Sequence, residues 1–186
     1  MVKVYSIETY KPKSTDKFLF DTNILVLLYN SLNPDLAETK SDIYSNFMAK
    51  IIKSGATIYL TSLNLAEFVN VLISREYNIK KQYKNEDYQK KRDFRNSEDY
   101  FYAIEQIKPI IRRMLSTFVK LSDNFEELIV DNLIDDIKID FNDEYFNYLC
   151  NYNNIKLITD DTDYVVLSSP LEVITANKKM LVGKTL

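Results

Sequence analysis

Asp21 interrupts an apolar run, KFLFDTNILVLLYN at residues 17–30, and is followed at once by Thr22 and Asn23. A carboxylate among such residues is costly unless something charged or hydrogen-bonding meets it. Three other segments carry acids: Glu67 in LTSLNLAEFVNVL, Asp143 in DFNDEYFNYLC, and Asp160, Asp161 and Asp163 in KLITDDTDY. Carboxylates brought together repel, and their pKa values rise unless something compensates. A divalent cation resolves that conflict, and oxygen ligands without His or Cys select Mg2+ or Mn2+ over zinc. A carboxylate-held ion of this kind keeps several waters and binds substrate phosphates. It lowers the pKa of a bound water, and a pair of ions clamps an in-line displacement at phosphorus. Phosphodiester hydrolysis is the chemistry that such a set does best without histidine.

The composition narrows the field in the same direction. There is no histidine among the 186 residues, which removes Ser-His-Asp and Cys-His catalysis and most zinc sites. Only Gly55 and Gly183 are glycines, too few for a phosphate-binding loop of the Rossmann or P-loop kind. The net charge of −3 gives no global basic field, so any contact with nucleic acid must come from local patches. One cysteine, Cys150, forms no internal disulfide and reads as a small buried apolar residue, in keeping with a reducing cytoplasm. The N-terminus lacks the apolar core of a signal peptide. No apolar run approaches the roughly 18 to 20 residues of a membrane span.

The elements that must position the acids follow from hydrophobic periodicity. Residues 17–21, 56–60, 155–159 and 171–175 read as short buried strands. Helices are predicted from Asn23 to about Leu32, ended by Pro34 and Asp35, and then from an N-cap at Ser41 to a C′ glycine at Gly55. Further helices run from Asn64 to about Tyr77, through Ile104 to Phe118 with Pro109 as a kink or new start, and over 140–152. Asn64 and Glu67 have capping-box spacing, as do Asp123 and Glu126 ahead of Leu128, Ile129 and Leu133. The βα order predicts an α/β fold with a parallel central sheet flanked by helices and carrying a helical insertion. The chain reads as one domain over 1–186, with an N-terminal extension at 1–16 and the insertion at about 78–137.

In such sheets the working residues collect at the carboxyl ends of strands. Asp21 and the Asp160–Asp163 group fall there, while Glu67 and Asp143 lie near the starts of helices that reach the same rim. Singly, each has a plainer reading. Asp21 fits a turn or cap, Glu67 a partner of Asn64, and Asp140 and Asp143 acids favoured by a helix dipole. Asp140 is assigned as a cap and Asp143 as a ligand. Asp131, Asp135 and Asp136 read as a solvated helix face. The stretch Arg75–Arg95, rich in Lys and Arg with Tyr83, Tyr88 and Phe94 between them, reads either as a solvated helical arm or as a surface for phosphates and bases.

The four segments FLFDTNILVLL, LTSLNLAEFVNVL, DFNDEYFNYLC and KLITDDTDY resemble, in this order, the acidic motifs of the PIN domain. That resemblance covers roughly residues 17–75 and 138–175. It implies a Mg2+- or Mn2+-dependent nuclease, most often a ribonuclease and often the toxin of a bacterial toxin–antitoxin pair. Carried over, Asp21, Glu67, Asp143 and Asp161 match the four metal-binding, catalytic acids. Asn23 matches the polar residue that orients the first acid, Thr159 a hydroxyl near the fourth, and Asp163 a supporting acid. Asp160, beside Asp161, leaves the fourth ligand ambiguous by one position. The resemblance allows an antitoxin partner and a homodimer, and it implies RNA as the substrate. The long 78–137 segment and the N-terminal extension depart from the compact family pattern. Two rivals stand beside this reading. One is a non-catalytic RNA-binding scaffold with the same fold. The other is a phosphatase of the haloacid-dehalogenase type, which needs a second Asp where this chain has Asn23.

Overall fold

The computed structural model describes residues 1–29, 34–84, 87–123, 125–127, 133–134 and 137–182. Among them lie six strands: β1 (Lys3–Ser6), β2 (Lys17–Phe20), β3 (Thr57–Leu60), β4 (Val119–Lys120), β5 (Lys156–Ile158) and β6 (Glu172–Thr175). Helices are α1 (Thr22–Tyr29), α2 (Pro34–Ser54), α3 (Ser62–Lys81), α4 (Glu98–Thr117), α5 (Phe141–Asn153) and α6 (Lys178–Val182). The strands form one sheet in the order β1-β6-β5-β2-β3-β4, and every pairing is parallel.

The central strand shows why this sheet needs helices on both faces. Phe18, Leu19 and Phe20 of β2 are all fully buried or nearly so. Alternate side chains of a strand point to opposite faces, and the two cores divide them accordingly. Phe18 and Phe20 join Leu25 of α1, Tyr44 and Phe47 of α2, and Phe68 of α3. Leu19 joins Phe146 and Cys150 of α5 and Met180 of α6 on the other side. From β2 the chain moves outward through β3 to β4, then returns to lay β5 on the opposite flank of β2. The strand order therefore reverses between β2 and β5, and ligands of open α/β sheets bind at the carboxyl ends of strands beside such a reversal.

Several boundaries differ from the predicted ones. Residues 1–16 supply β1, an edge strand paired with β6, where an extension ahead of the first strand was expected. The helix predicted from Asn23 starts at Thr22, and its predicted end at Leu32 lies outside the described residues. Pro34 opens α2 rather than breaking a helix, because a first-turn residue has no use for the N–H that proline lacks. Ser41 is consequently inside α2, where its hydroxyl donates to the Leu27 carbonyl of α1 at 3.4 Å instead of capping its own helix. α4 runs unbroken through Pro109, which sits on its exposed face, where water can take the carbonyl left free. Near the expected Asp123–Glu126 cap only a short 3-10 turn, Phe125–Glu127, is described. Leu128, Ile129, Asp131, Asp135, Asp136 and Gly183 lie outside the described residues.

Gly55 does end α2, with φ +76° and its N–H on the Ile52 carbonyl at 3.1 Å. A Cβ there would meet only Ser14 at an ordinary 3.8 Å, so backbone conformation alone sets the cost. Gly55→Ala is expected to destabilise by about 1 kcal/mol and to lower Tm by roughly 2–4 °C in thermal denaturation. No loss would show that the turn relaxes.

Candidate active site

Asp21 fills the single position between β2 and α1. Its N–H donates to the Ile158 carbonyl at 2.9 Å, across the β2–β5 boundary, and its carbonyl accepts from Ile24 and Leu25 to open α1. The backbone thus aims the side chain at the end of β5. There Thr159 Oγ1 donates to Asp21 Oδ2 at 2.6 Å, while Asp21 Oδ1 receives a long 3.4 Å contact from the Asn23 amide. Asn23 acts on Asp21 through its backbone, and its own side chain is exposed. Burial pushes the Asp21 carboxyl from 3.8 up to about 6. The Thr159 and Asn23 hydrogen bonds pull it back, and the charges of Asp161 and Glu67 add to the rise.

Glu67 comes from α3, whose start corrects the expected cap. Thr61 is the N-cap, its hydroxyl accepting from the Asn64 amide at 3.0 Å, and Asn64 closes the box from the N3 position. Glu67 is therefore free of capping, and both its oxygens reach other elements. Thr22 Oγ1 donates to Oε2 at 2.6 Å, and Asn142 Nδ2 donates to Oε1.

Asp140 is the N-cap of α5, accepting from the Asn142 amide at 3.0 Å, as assigned from the sequence. Asp143 lies in the first turn and takes a 2.7 Å hydrogen bond from the Tyr164 hydroxyl on Oδ1. Burial raises the Asp143 carboxyl to about 6 against the Tyr164 hydrogen bond, with the charges of Asp21, Asp161 and Asp140 reinforcing it. The neighbouring acid Glu144 is turned away, onto the Lys138 amide and Asn147.

After β5 the alternation of the extended chain sorts the remaining acids. Thr159 faces Asp21, and the Asp161 amide donates back to Thr159 Oγ1 at 3.0 Å. Asp160 points the other way, into Lys40 and Tyr44 of α2 and the Thr175 hydroxyl, the last at 2.9 Å. Burial works to raise its pKa, but the Lys40, Tyr44 and Thr175 contacts hold it below the usual carboxylate value. Asp160 is thus consumed as a structural hub. Asp161 also caps a short 3-10 turn by accepting from the Asp163 amide at 2.9 Å, and Asp163 itself is exposed.

Asp21, Glu67 and Asp143 line one cleft of about 480 Å³, and Asp161 lines an adjoining one, with Asn23 belonging to both. No group of three or more acidic or cysteine side chains among the described residues is gathered tightly enough to grip a metal ion unaided. Mg2+ requires no such cage, since it keeps several waters and takes one or two protein carboxylates. The donors are all oxygen. Two of the acids are held up near 6 by burial and by neighbouring acids, a strain that a bound cation relieves. The set therefore fits a hard divalent cation. Sequence reasoning did not single out Thr22, Asn142 or Tyr164, the groups that orient Glu67 and Asp143. Their only trace was adjacency: Thr22 follows Asp21, Asn142 precedes Asp143, and Tyr164 closes the KLITDDTDY segment.

A family model described as PIN domain matches residues 18–168. No curated protein matches the chain. Among solved structures, VapBC2 from Rickettsia felis, bound to a DNA fragment from their promoter, is similar with a TM-score of 0.52 at 17% identity, over 85% of this chain and 98% of that one. PAE2754 from Pyrobaculum aerophilum has a TM-score of 0.49 at 14% identity, over 95% of this chain and 94% of that one. The first likeness is one of fold.

Proposed function

The chain belongs to the PIN domain family, and from that premise we propose that it is a Mg2+- or Mn2+-dependent nuclease that hydrolyses internal phosphodiester bonds, in RNA first of all. The observation that carries this reading is the mutual bearing of acids from separate segments at the point where the strand order reverses. The charges of Asp161 and Glu67 raise the cost of ionising Asp21 there, and those of Asp21, Asp161 and Asp140 raise that of Asp143.

Asp21, Glu67, Asp143 and Asp161 would share one ion or two, one or two of these carboxylates binding an ion directly and the others through its waters. When bound, it supplies Lewis-acid polarisation of a phosphoryl oxygen and of the attacking water. The chain's own residues prepare that arrangement. Thr159 fixes the Asp21 carboxylate and, among the described residues, leaves Oδ1 with only the weak Asn23 contact. Tyr164 occupies one oxygen of Asp143, and its hydroxyl, with a pKa that burial raises well above the usual value, stays a donor. Thr22 and Asn142 clamp Glu67 between the starts of α1 and α5. Asp163 supports Asp161 through the turn that Asp161 caps. A phosphatase using Asp21 as nucleophile would need a carboxylic acid at position 23, which is Asn23. An antitoxin partner and a cytoplasmic site of action belong to the same reading. Among the described residues no helix is long and apolar enough to cross a membrane.

Incubation of the purified chain with mixed-sequence RNA and single-stranded DNA, in Mn2+, Mg2+ or EDTA, tests the proposal. RNA is expected to be cut in the presence of either metal and to survive in EDTA. Intact strands in every condition would sink the nuclease reading, and RNA affinity without metal binding would favour the scaffold. Thr159→Val, which keeps the shape and removes the hydroxyl, is expected to lower cleavage by about 10- to 100-fold. An unchanged rate would show that Thr159 does not orient Asp21.

A further inference from the structure

Resting on the nuclease reading, the structure assigns a two-sided cationic track to this chain, which holds the phosphates on either side of the one cut. One side is the polar face of α3. Glu67, Asn70, Ser74 and Asn78 follow one another at helical spacing, and with Arg75 they line the cleft of Asp21 and Asp143. Lys90 reaches back from the following loop and donates to Ser74, adding a second cation to that face. The other side is the adjoining cleft, of about 730 Å³, which contains Asp161, Asn177, Lys178 and Lys179. Asn23 lines both clefts, so a strand that passes over it touches the acids between the two basic ends.

Position argues that Arg75, Lys178 and Lys179 are placed for a ligand, since they line the clefts that hold the acids. Within the second cleft Lys40 is spent on Asp160. Arg75, Lys178 and Lys179 make no ion pair with a described residue, although acids line the same clefts. The whole chain carries −3, so a polyanion approaching the acids is repelled unless local positive charge flanks them. The ligand is the phosphate backbone of a single strand. The aromatic residues near Lys90 do not supply a stacking platform for its bases. Tyr88 stacks on Tyr77, and Phe94 is fully buried.

Fluorescence anisotropy of the full chain with a labelled 12-nucleotide strand, in EDTA across a salt series, tests the track. Arg75→Ala and Lys178→Ala/Lys179→Ala are each expected to weaken binding by about threefold or more and to flatten the salt dependence by roughly 0.7 per lost contact. The losses are expected to multiply when combined. Lys50→Ala/Lys53→Ala, in a separate cleft with Glu8, is the control and is expected to bind as the parent does. Equal losses on RNA and DNA of one sequence support phosphate contact, and losses confined to RNA overturn it. Absence of binding at low salt, unchanged binding in the flank variants, or an equal loss in the control also overturns the track. Flank-dependent binding without metal-dependent cleavage would keep the track and discard the nuclease. Cleavage with no flank effect on binding would discard the track alone.

Discussion

Asp21→Asn is expected to lower Mn2+-dependent cleavage by about a thousandfold and, in the same protein, to make the metal-free fold more stable. The first effect follows from the several kcal/mol that a Lewis acid contributes to a phosphoryl transition state, at about 1.4 kcal/mol per tenfold in rate. The second follows from burial. Asp21 is 4% exposed, and its carboxyl rises from 3.8 to about 6 in the fold. Its ionisation at neutral pH therefore costs roughly 3 kcal/mol of stability. The sign is that of a raised pKa: the stabilising contribution is complete below about pH 3.8 and is lost as pH rises through about 6. Asp143 moves in the same direction. The metal-free parent should lose stability between about pH 4 and 6, and the variant should lose less, because an amide does not ionise and its oxygen still accepts from Thr159. Mn2+ should raise the melting temperature of the parent at neutral pH by mass action and leave the variant nearly unmoved. Undiminished cleavage would remove Asp21 from the chemistry. A variant less stable than the parent, with the same pH slope, would remove the burial argument while leaving the cleavage result to stand.

The same balance of local and long-range forces decides what the sequence discloses. The strands β2, β3, β5 and β6 were legible because a parallel sheet buried on both faces leaves unbroken apolar runs. β1 was not, since KVYS lies at the sheet edge with no fully buried residue to mark a pattern, and β4 was not, since VK is two exposed residues. The choice between Asp160 and Asp161 was open in the sequence, yet period-two alternation favours Asp161. It shares a side with Thr159, and Asp160 takes the other side, toward Tyr44. Capping misled for a related reason. Asn64–Glu67 and Thr61–Asn64 have the same spacing, and the helix uses the earlier pair because β3 ends at Leu60, directly before Thr61. The segment Arg75–Arg95 offered cations and aromatics together, and tertiary packing separated them. Tyr88 and Phe94 went inward against Tyr77, while Tyr83 remains 81% exposed.

Asn64→Ala is expected to cost about 2–4 kcal/mol, a fall in Tm of roughly 5–15 °C for a chain of this size, and to reduce cleavage although Asn64 lines neither cleft. The residue is fully buried. Its Nδ2 donates to the Phe20 carbonyl at 3.2 Å and to Thr22 Oγ1 at 3.4 Å, and its Oδ1 accepts from the Thr61 hydroxyl at 3.0 Å and the Thr61 amide at 3.4 Å. Truncation strands the Phe20 carbonyl at the end of the central strand and the Thr61 amide at the start of α3. Each buried group left without a partner costs about 1–3 kcal/mol, and the lost half of the capping box adds about 1 kcal/mol. The effect on cleavage runs through Thr22, which is the donor to Glu67. Asn64 is therefore a positioning residue that ties the end of β2, where Asp21 sits, to the first turn of α3, which carries Glu67. Thr22→Val separates the two consequences, because it cuts the link to Glu67 and leaves the cap in place. It should lower kcat with a much smaller loss of stability. Equal stability losses in both variants would reduce Asn64 and Thr22 to packing. A stable Asn64→Ala protein with normal cleavage would show that Glu67 is held by Asn142 alone.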